Sequence, residues 1–136
     1  MSNIVAYLSF PGNCREAMSF YKDCLGGELT MQTVAESPMA GQMPAEMGQN
    51  ILHSSLTSGG ITLMASDLNN NFTPGNAVHL CIVCDNEEEL NTFFNKLSEG
   101  GKVGHPVSKF FAGTMGDVVD KFGINWMLYY GENAQQ

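Results

Sequence analysis

Basic side chains are scarce in this chain of 136 residues. Six Lys and Arg stand against 14 Asp and Glu, and Arg15 is the only arginine. A formal net charge of -8 repels phosphate backbones, so nucleic acid is excluded as a partner. Long apolar runs are also missing: the longest is a handful of residues, against about 20 for a membrane helix, so no membrane segment is expected. The opening Met1-Ser2-Asn3-Ile4 has no cationic n-region. No secretory signal is therefore expected, and the expected compartment is the cytoplasm. What is present is apolar: 43% hydrophobic residues with only 15% charged, which is not a disordered composition. A chain of this length buries roughly two-thirds of its unfolded surface without a covalent staple.

The cysteines are four: Cys14, Cys24, Cys81 and Cys84. The spacing Cys81-x-x-Cys84 has the form of a zinc or redox motif. The stretch from His79 to Asp85 reads as a strand, however, and alternation sends the two thiols to opposite faces. Two thiols so placed cannot share a metal, and no second ligand pair accompanies them. Four reduced thiols are expected.

Along the chain, Ile4 to Phe10 reads as a buried strand that Pro11-Gly12 breaks. Asn13 with Glu16 forms a capping-box-like start to a helix whose apolar positions recur through Leu25. Gly26-Gly27 ends it through a left-handed turn. Glu28 to Val34 is a strand, and residues 35 to 49 are a loop. In that loop Met39, Met43 and Met47, spaced by four, read as a short methionine-striped helix that covers a cleft or a partner. Asn50 to Ser58 and Ile61 to Ser66 form a hairpin around Gly59-Gly60.

Asp67 to Asn76 is polar and marks a boundary between two modules, 1–68 and 77–131, of a single domain. The order then repeats. Ala77 to Cys84 is a strand. Asp85 or Asn86 caps a helix whose first turn, Glu87-Glu88-Glu89, complements the helix dipole. Leu90, Phe93, Phe94 and Leu97 form its apolar face, and Gly100-Gly101 ends it. Lys102 to Val107, Gly113 to Val119 and Ile124 to Tyr130 read as strands. Gly26-Gly27 lies 74 residues before Gly100-Gly101; Phe20 and Phe94 share that offset, as do Leu29 and Val103.

This ordered set resembles the vicinal oxygen chelate (glyoxalase/bleomycin-resistance/dioxygenase) superfamily, and within it the PhnB-like branch. The residues that carry the resemblance are Tyr7-Leu-Ser-Phe10, Gly12-Asn-Cys-Arg-Glu-Ala-Met18, Phe20-Tyr21, Cys24-Leu-Gly-Gly27, Leu63-Met-Ala-Ser-Asp67, His79, the run Gly116 to Gly123, and Trp126-Met127. The resemblance implies an α+β fold of two βαβββ modules, with a cleft in curved mixed sheets and a homodimeric assembly. Metal-dependent members use four His or Glu ligands, two per module. The resemblance puts those positions at Ala6, at Met64 or Thr62, at His79 and at Met127. Only His79 is a usual ligand type: Ala has no donor, and a thioether is a poor ligand for a hard or borderline divalent ion. A divalent metal is therefore disfavoured.

The site candidates follow. His79 reads either as a polar anchor or base in the cleft, or as a satisfied histidine on a sheet. Cys81, two residues on, reads either as its thiolate partner or as a small apolar wall residue. Phe10, Met64, Asn125, Met127 and Tyr129 are the candidate ligand-binding lining. Asn125, Met127 and Tyr129 share one face by alternation, while Ile124, Trp126 and Leu128 form the layer under the helices. A cleft of that character suits a partly apolar small molecule. Cys14, at the first helical position, has its thiol pKa lowered by the helix dipole but reads as structural. Phe110-Phe111 forms a second rim. His53 and His105 read as surface or sheet-edge residues, and Asp117 and Asp120 as turn hydrogen-bonders.

Three functions compete. The first is a metal-free small-molecule-binding protein. The second is a lyase, isomerase or dioxygenase, with a metal held by residues such as His79 with Asp67 or His53, or with His79 as a metal-free base. The third is a structural role in a dimer. The PhnB-like names mention phosphonates and a quinone methyltransferase. The glycine fingerprint of a nucleotide pocket is absent, and a phosphonate would want cations that a cleft with no Arg does not supply.

Overall fold

The computed structural model describes residues 2–67 and 71–131. Residues 68–70 of the polar boundary stretch, with Met1 and 132–136, lie outside the described residues. The chain divides into two compact units, Met1–Thr73 and Pro74–Gln136. Among the described residues no helix is long and apolar enough to cross a membrane.

The first unit runs β1 (Ala6–Ser9), α1 (Cys14–Leu25), β2 (Glu28–Thr33), β3 (Ile51–Ser58) and β4 (Ile61–Ser66). Its sheet order is β1-β4-β3-β2, with β1 and β4 parallel and the other pairs antiparallel. The parallel pair needs a long crossover, and α1 with the β2–β3 hairpin supplies it. β1 is shorter than the apolar run, yet Phe10 N–H still donates to Ser66 O at 2.9 Å, so pairing outlasts the strand. Leu56, Leu63 and Ala65 are buried on the face that α1 covers with Ala17, Met18, Tyr21 and Leu25. Gly27, at φ +92°, passes so close to β3 that a Cβ would sit 2.2 Å from the Thr57 carbonyl oxygen.

The start of α1 corrects the capping-box expectation. Asn13 sits at φ -112°, ψ 26°, outside the extended region an N-cap adopts, and its side chain makes no cap bond. Its Oδ1 is buried with no hydrogen-bond partner. The cap comes instead from Asp67, just after β4, whose Oδ1 accepts the Cys14 N–H at 2.8 Å. Asp67 Oδ2 accepts the Ile51 N–H, also at 2.8 Å. One buried carboxylate thus joins helix start, strand start and strand end.

The methionine-striped helix does not form. Two short 3₁₀ turns, Ala40–Gln42 and Ala45–Met47, replace it, because Pro44 lacks the N–H and crowds the turn a continuous helix needs. The loop is pinned at its start: Glu36 accepts from both Thr33 N–H (3.0 Å) and Thr33 O–H (2.8 Å). Those two bonds hold the Glu36 carboxyl below its ordinary range.

The second unit runs β5 (Leu80–Val83), α2 (Glu87–Ser98), β6 (Lys102–Phe110), β7 (Gly113–Val119) and β8 (Asn125–Tyr130). Its order is β5-β8-β7-β6, the same topology with β5 and β8 parallel. Asn86 is the N-cap of α2, accepting from Glu89 N–H at 2.8 Å. Leu90, Phe94 and Leu97 are buried, each contributing roughly 1.5–3 kcal/mol, against Trp126, Leu128 and Val118. A side chain at Gly116 would meet Phe94 at 2.9 Å, so glycine is what lets α2 lie close on β7. Asp120 makes the expected turn bonds, accepting from Phe122 and Ile124 N–H, and it also accepts Trp126 Nε1–H at 2.8 Å.

Candidate functional site

In each unit one sheet face lies under the helix and the other is left open. In the first unit the pairings Ala6↔Leu63 and Tyr7↔Met64 sort the residues. Leu63 is on the covered face, so Ala6 is too. Tyr7, 52% exposed, stands beside Met64 on the open one. The first-strand ligand position implied by the resemblance, Ala6, therefore does not reach the open face; Tyr7 does. Phe10 is fully buried and stacks on Phe72 with ring centroids 6.1 Å apart, so it belongs to the core rather than to a binding face. Asp67, offered as a metal partner of His79, is spent on its two backbone N–H groups. His53 is exposed, its ring 6.4 Å from that of Tyr7.

In the second unit the open face carries Cys81 beside Met127, and Val83 beside Tyr129, through the β5–β8 pairing. On its other side β8 sets Met127 beside Asp117 and Tyr129 beside Met115. Trp126 and Leu128 lie on the covered face, as alternation requires. Asn125 is buried and donates its amide to Gly75 O at 3.0 Å. His79 is exposed just ahead of β5, which begins at Leu80, so strand alternation does not extend from Cys81 to it.

The cysteines divide by face. Cys81 is exposed and Cys84 is buried, on opposite sides as expected. The neighbouring strands still desolvate the Cys81 sulfur and push its thiol pKa up, with no imidazole holding it down. Burial, reinforced by Glu89 and other acidic neighbours, pushes Cys84 up to about 12. Cys14 corrects the dipole expectation. Burial outweighs the hydrogen bond to Ser54 and the charge of Arg15, with Asp67 adding to the rise, and its thiol is pushed up to about 11.

At the β6–β7 end of the second unit lies a recess of about 670 Å³, lined by Glu87, Lys109, Phe110, Phe111, Tyr129 and Tyr130 among others. Phe110 and Tyr129 are 6.2 Å apart centroid to centroid, and Tyr129 O–H donates to Ala112 O at 2.9 Å. Glu87 stands 3.5 Å from Lys109 Nζ and accepts from Thr114 Oγ1–H at 3.2 Å. The recess is thus aromatic on one side and carries one ion pair on the other.

One polar pair escaped the sequence reading. Asp117 is not a turn residue: it lies within β7 and holds His105 of β6. Its Oδ2 lies 2.8 Å from His105 Nδ1, and its Oδ1 accepts the His105 N–H at 3.1 Å. The signal was Val103-Gly104-His105-Pro106. Gly and Pro inside a strand mark an edge or a bulge, where a side chain is re-aimed. The β6–β7 register shifts on both sides of His105.

Of the metal positions the resemblance implies, Ala6 has no donor and lies on the covered face. Met64 or Thr62 and Met127 offer only thioether or hydroxyl groups, and His79 alone is a usual ligand type, too few to fit a divalent ion. The open-face groups on the paired strands are a phenol and a thioether in the first unit, and a thiol and a thioether in the second. Among the described residues, no three His, Cys, Asp or Glu are grouped to hold a metal.

Two four-stranded mixed sheets, each with one helix and a βαβββ order, define the glyoxalase/bleomycin-resistance architecture. A glyoxylase/bleomycin resistance protein/dioxygenase domain from Frankia sp. EAN1pec shares that fold at a TM-score of 0.63 and 13% identity, over 98% of this chain and 94% of that one. The chain belongs to the 3-demethylubiquinone-9 3-methyltransferase family, whose model matches residues 2–129. Protein YjdN of Escherichia coli (strain K12) is 32% identical over 136 residues, covering 90% of each chain. The crystal structure of protein PA1353 from Pseudomonas aeruginosa is similar at a TM-score of 0.84 and 36% identity, over 96% of this chain and 98% of that one. A PhnB protein from Bacillus cereus is similar at 0.75 and 28%, over 96% and 100%. The PhnB-like resemblance and the expected fold both hold.

Proposed function

We propose that this PhnB-like protein binds a small, partly apolar organic molecule and does so without the divalent metal common in its superfamily. One observation carries the reading. The open face of the second unit presents Met115, Met127 and Tyr129 in adjoining rows, and Tyr129 also lines the aromatic recess of about 670 Å³ at the β6–β7 end. That volume is within the roughly 300–1,000 Å³ of ordinary ligand sites, and thioethers adapt to varied apolar shapes. Methyl transfer is not favoured. The turns between strand and helix, Pro11-Gly12-Asn13 and Cys84-Asp85-Asn86, lack the repeated glycines that let a backbone approach a nucleotide.

The reading includes one domain made from both units, a homodimer and a cytoplasmic location. Exposed apolar side chains at Tyr7, Val83, Val103 and Phe111 support an assembly larger than the single chain; sedimentation of the purified protein tests it. The binding claim is tested by ligand-observed NMR against a library of small aromatic fragments, run beside a Tyr129→Ala variant. Hits on the wild type that the variant loses support it. Hits that survive the variant unchanged, or none at all, contradict it.

A further inference from the structure

The open face of the second unit holds a polar pair placed with some care. Asp117 uses both carboxylate oxygens on one residue: Oδ1 on the His105 backbone N–H and Oδ2 on Nδ1 of the same ring. Its side chain is only 16% exposed, while that of His105 is 83% exposed. Gly104 makes room for the contact, because a Cβ there would lie 2.1 Å from Asp117 Oδ1. The register shifts on both sides of His105, and Asp117 is its partner across the strands.

The chemistry follows from the donors. An ionised carboxylate only accepts, so Nδ1 carries the proton in this pair. The ring's other nitrogen, Nε2, is left with a lone pair directed outward. If Nε2 takes a proton, the ring keeps its Nδ1 contact with the carboxylate beside it, 2.8 Å away, so the charged form has a partner of opposite sign in place. Alternation then gives the setting. Asp117 shares its face with Met115, and its cross-strand neighbour is Met127, one strand spacing of about 4.8 Å away. A base therefore adjoins a thioether-lined apolar surface.

We propose that His105 and Asp117 form a proton-accepting dyad for a molecule on that face: an apolar or aromatic body bearing one acidic hydroxyl, of phenol or enol type. The O–H proton passes to His105 Nε2, and the O–H bond's electron pair stays on oxygen. The products are a bound phenolate or enolate and an imidazolium steadied by Asp117. His105 is the residue that touches the hydroxyl, and Asp117 is a positioning residue. The proposal rests on the binding reading only in placing its molecule on the same face.

Two probes test it on the full-length protein. Diethyl pyrocarbonate acylates neutral imidazole, and the chain offers two exposed histidines, His53 and His79, as internal standards. The expected result is that His105 reacts several-fold faster than either, and that Asp117→Asn removes the advantage. Gly104→Ala, which displaces the carboxylate, does the same. A merely structural pair would lower the melting temperature in these variants without changing the order of rates. The second probe is 4-nitrophenol in mildly acidic buffer, read by its yellow phenolate absorbance and by the Met115 and Met127 methyl resonances. Phenolate appearing with the wild type and not with His105→Gln supports the dyad. Methyl shifts without phenolate overturn the dyad and leave the binding reading standing. Neither signal overturns the phenol assignment and weakens the binding reading as well.

Discussion

Asp67 and Cys14, 53 residues apart, are joined by one 2.8 Å hydrogen bond from the helix's first N–H to the carboxylate. The same carboxylate takes the Ile51 N–H, and all three residues are buried. Asp67→Ala leaves two buried donors without acceptors and is expected to cost about 2–5 kcal/mol. Asp67→Asn keeps one acceptor and costs roughly half as much. Urea unfolding with an unchanged slope checks both values.

The packing of α2 on β7 gives a second prediction. Gly116→Ala sets a methyl group 2.9 Å from the Phe94 ring and 3.1 Å from Val107. Overpacking of this kind costs about 1–3 kcal/mol. Adding Phe94→Leu should return part of it, a non-additivity that a double-mutant cycle measures.

Thiol reactivity should follow the faces of the sheets. Near neutral pH, iodoacetamide is expected to label Cys81 first, because Cys14, Cys24 and Cys84 are buried. Peptide mass spectrometry reads the order. Early labelling of Cys14 would mean that the helix terminus, and not burial, controls that thiol.

Alkaline pH should destabilise the fold. Cys14 and Cys84 ionise at about 11 and about 12 in the folded chain, against 9.0 for a free thiol. Above 9.0 the unfolded chain binds fewer protons than the folded one, so stability falls as pH rises through that range. Below 9.0 both states keep these protons and the effect vanishes. Unfolding free energies measured on either side of 9.0, with Cys84→Ala flattening the loss, check the sign.

The repeat of Gly-Gly turns and apolar helix faces made both βαβββ units legible, because helix periodicity and turn glycines are local signals. Which face of each strand is open was legible for β8, where Trp126 and Leu128 alternate with Met127 and Tyr129. It was not legible for β1: Ala6 and Tyr7 are one residue apart, and only the pairing with Leu63 and Met64 decides between them. The cap of α1 was hidden because its acceptor comes from Asp67, far along the chain. The His105–Asp117 pair was hidden for the same reason, although Gly104 and Pro106 flagged the irregular strand that builds it.

Binding of an organic molecule to the second unit's open face is expected to need no metal. The direct measurement is the methionine methyl NMR spectrum of chelator-treated protein, before and after addition of a fragment hit. The Met115 and Met127 methyls are expected to shift while that of Met18, fully buried in the first unit, stays in place. Shifts that appear only after zinc, nickel, manganese or iron is restored would contradict that expectation.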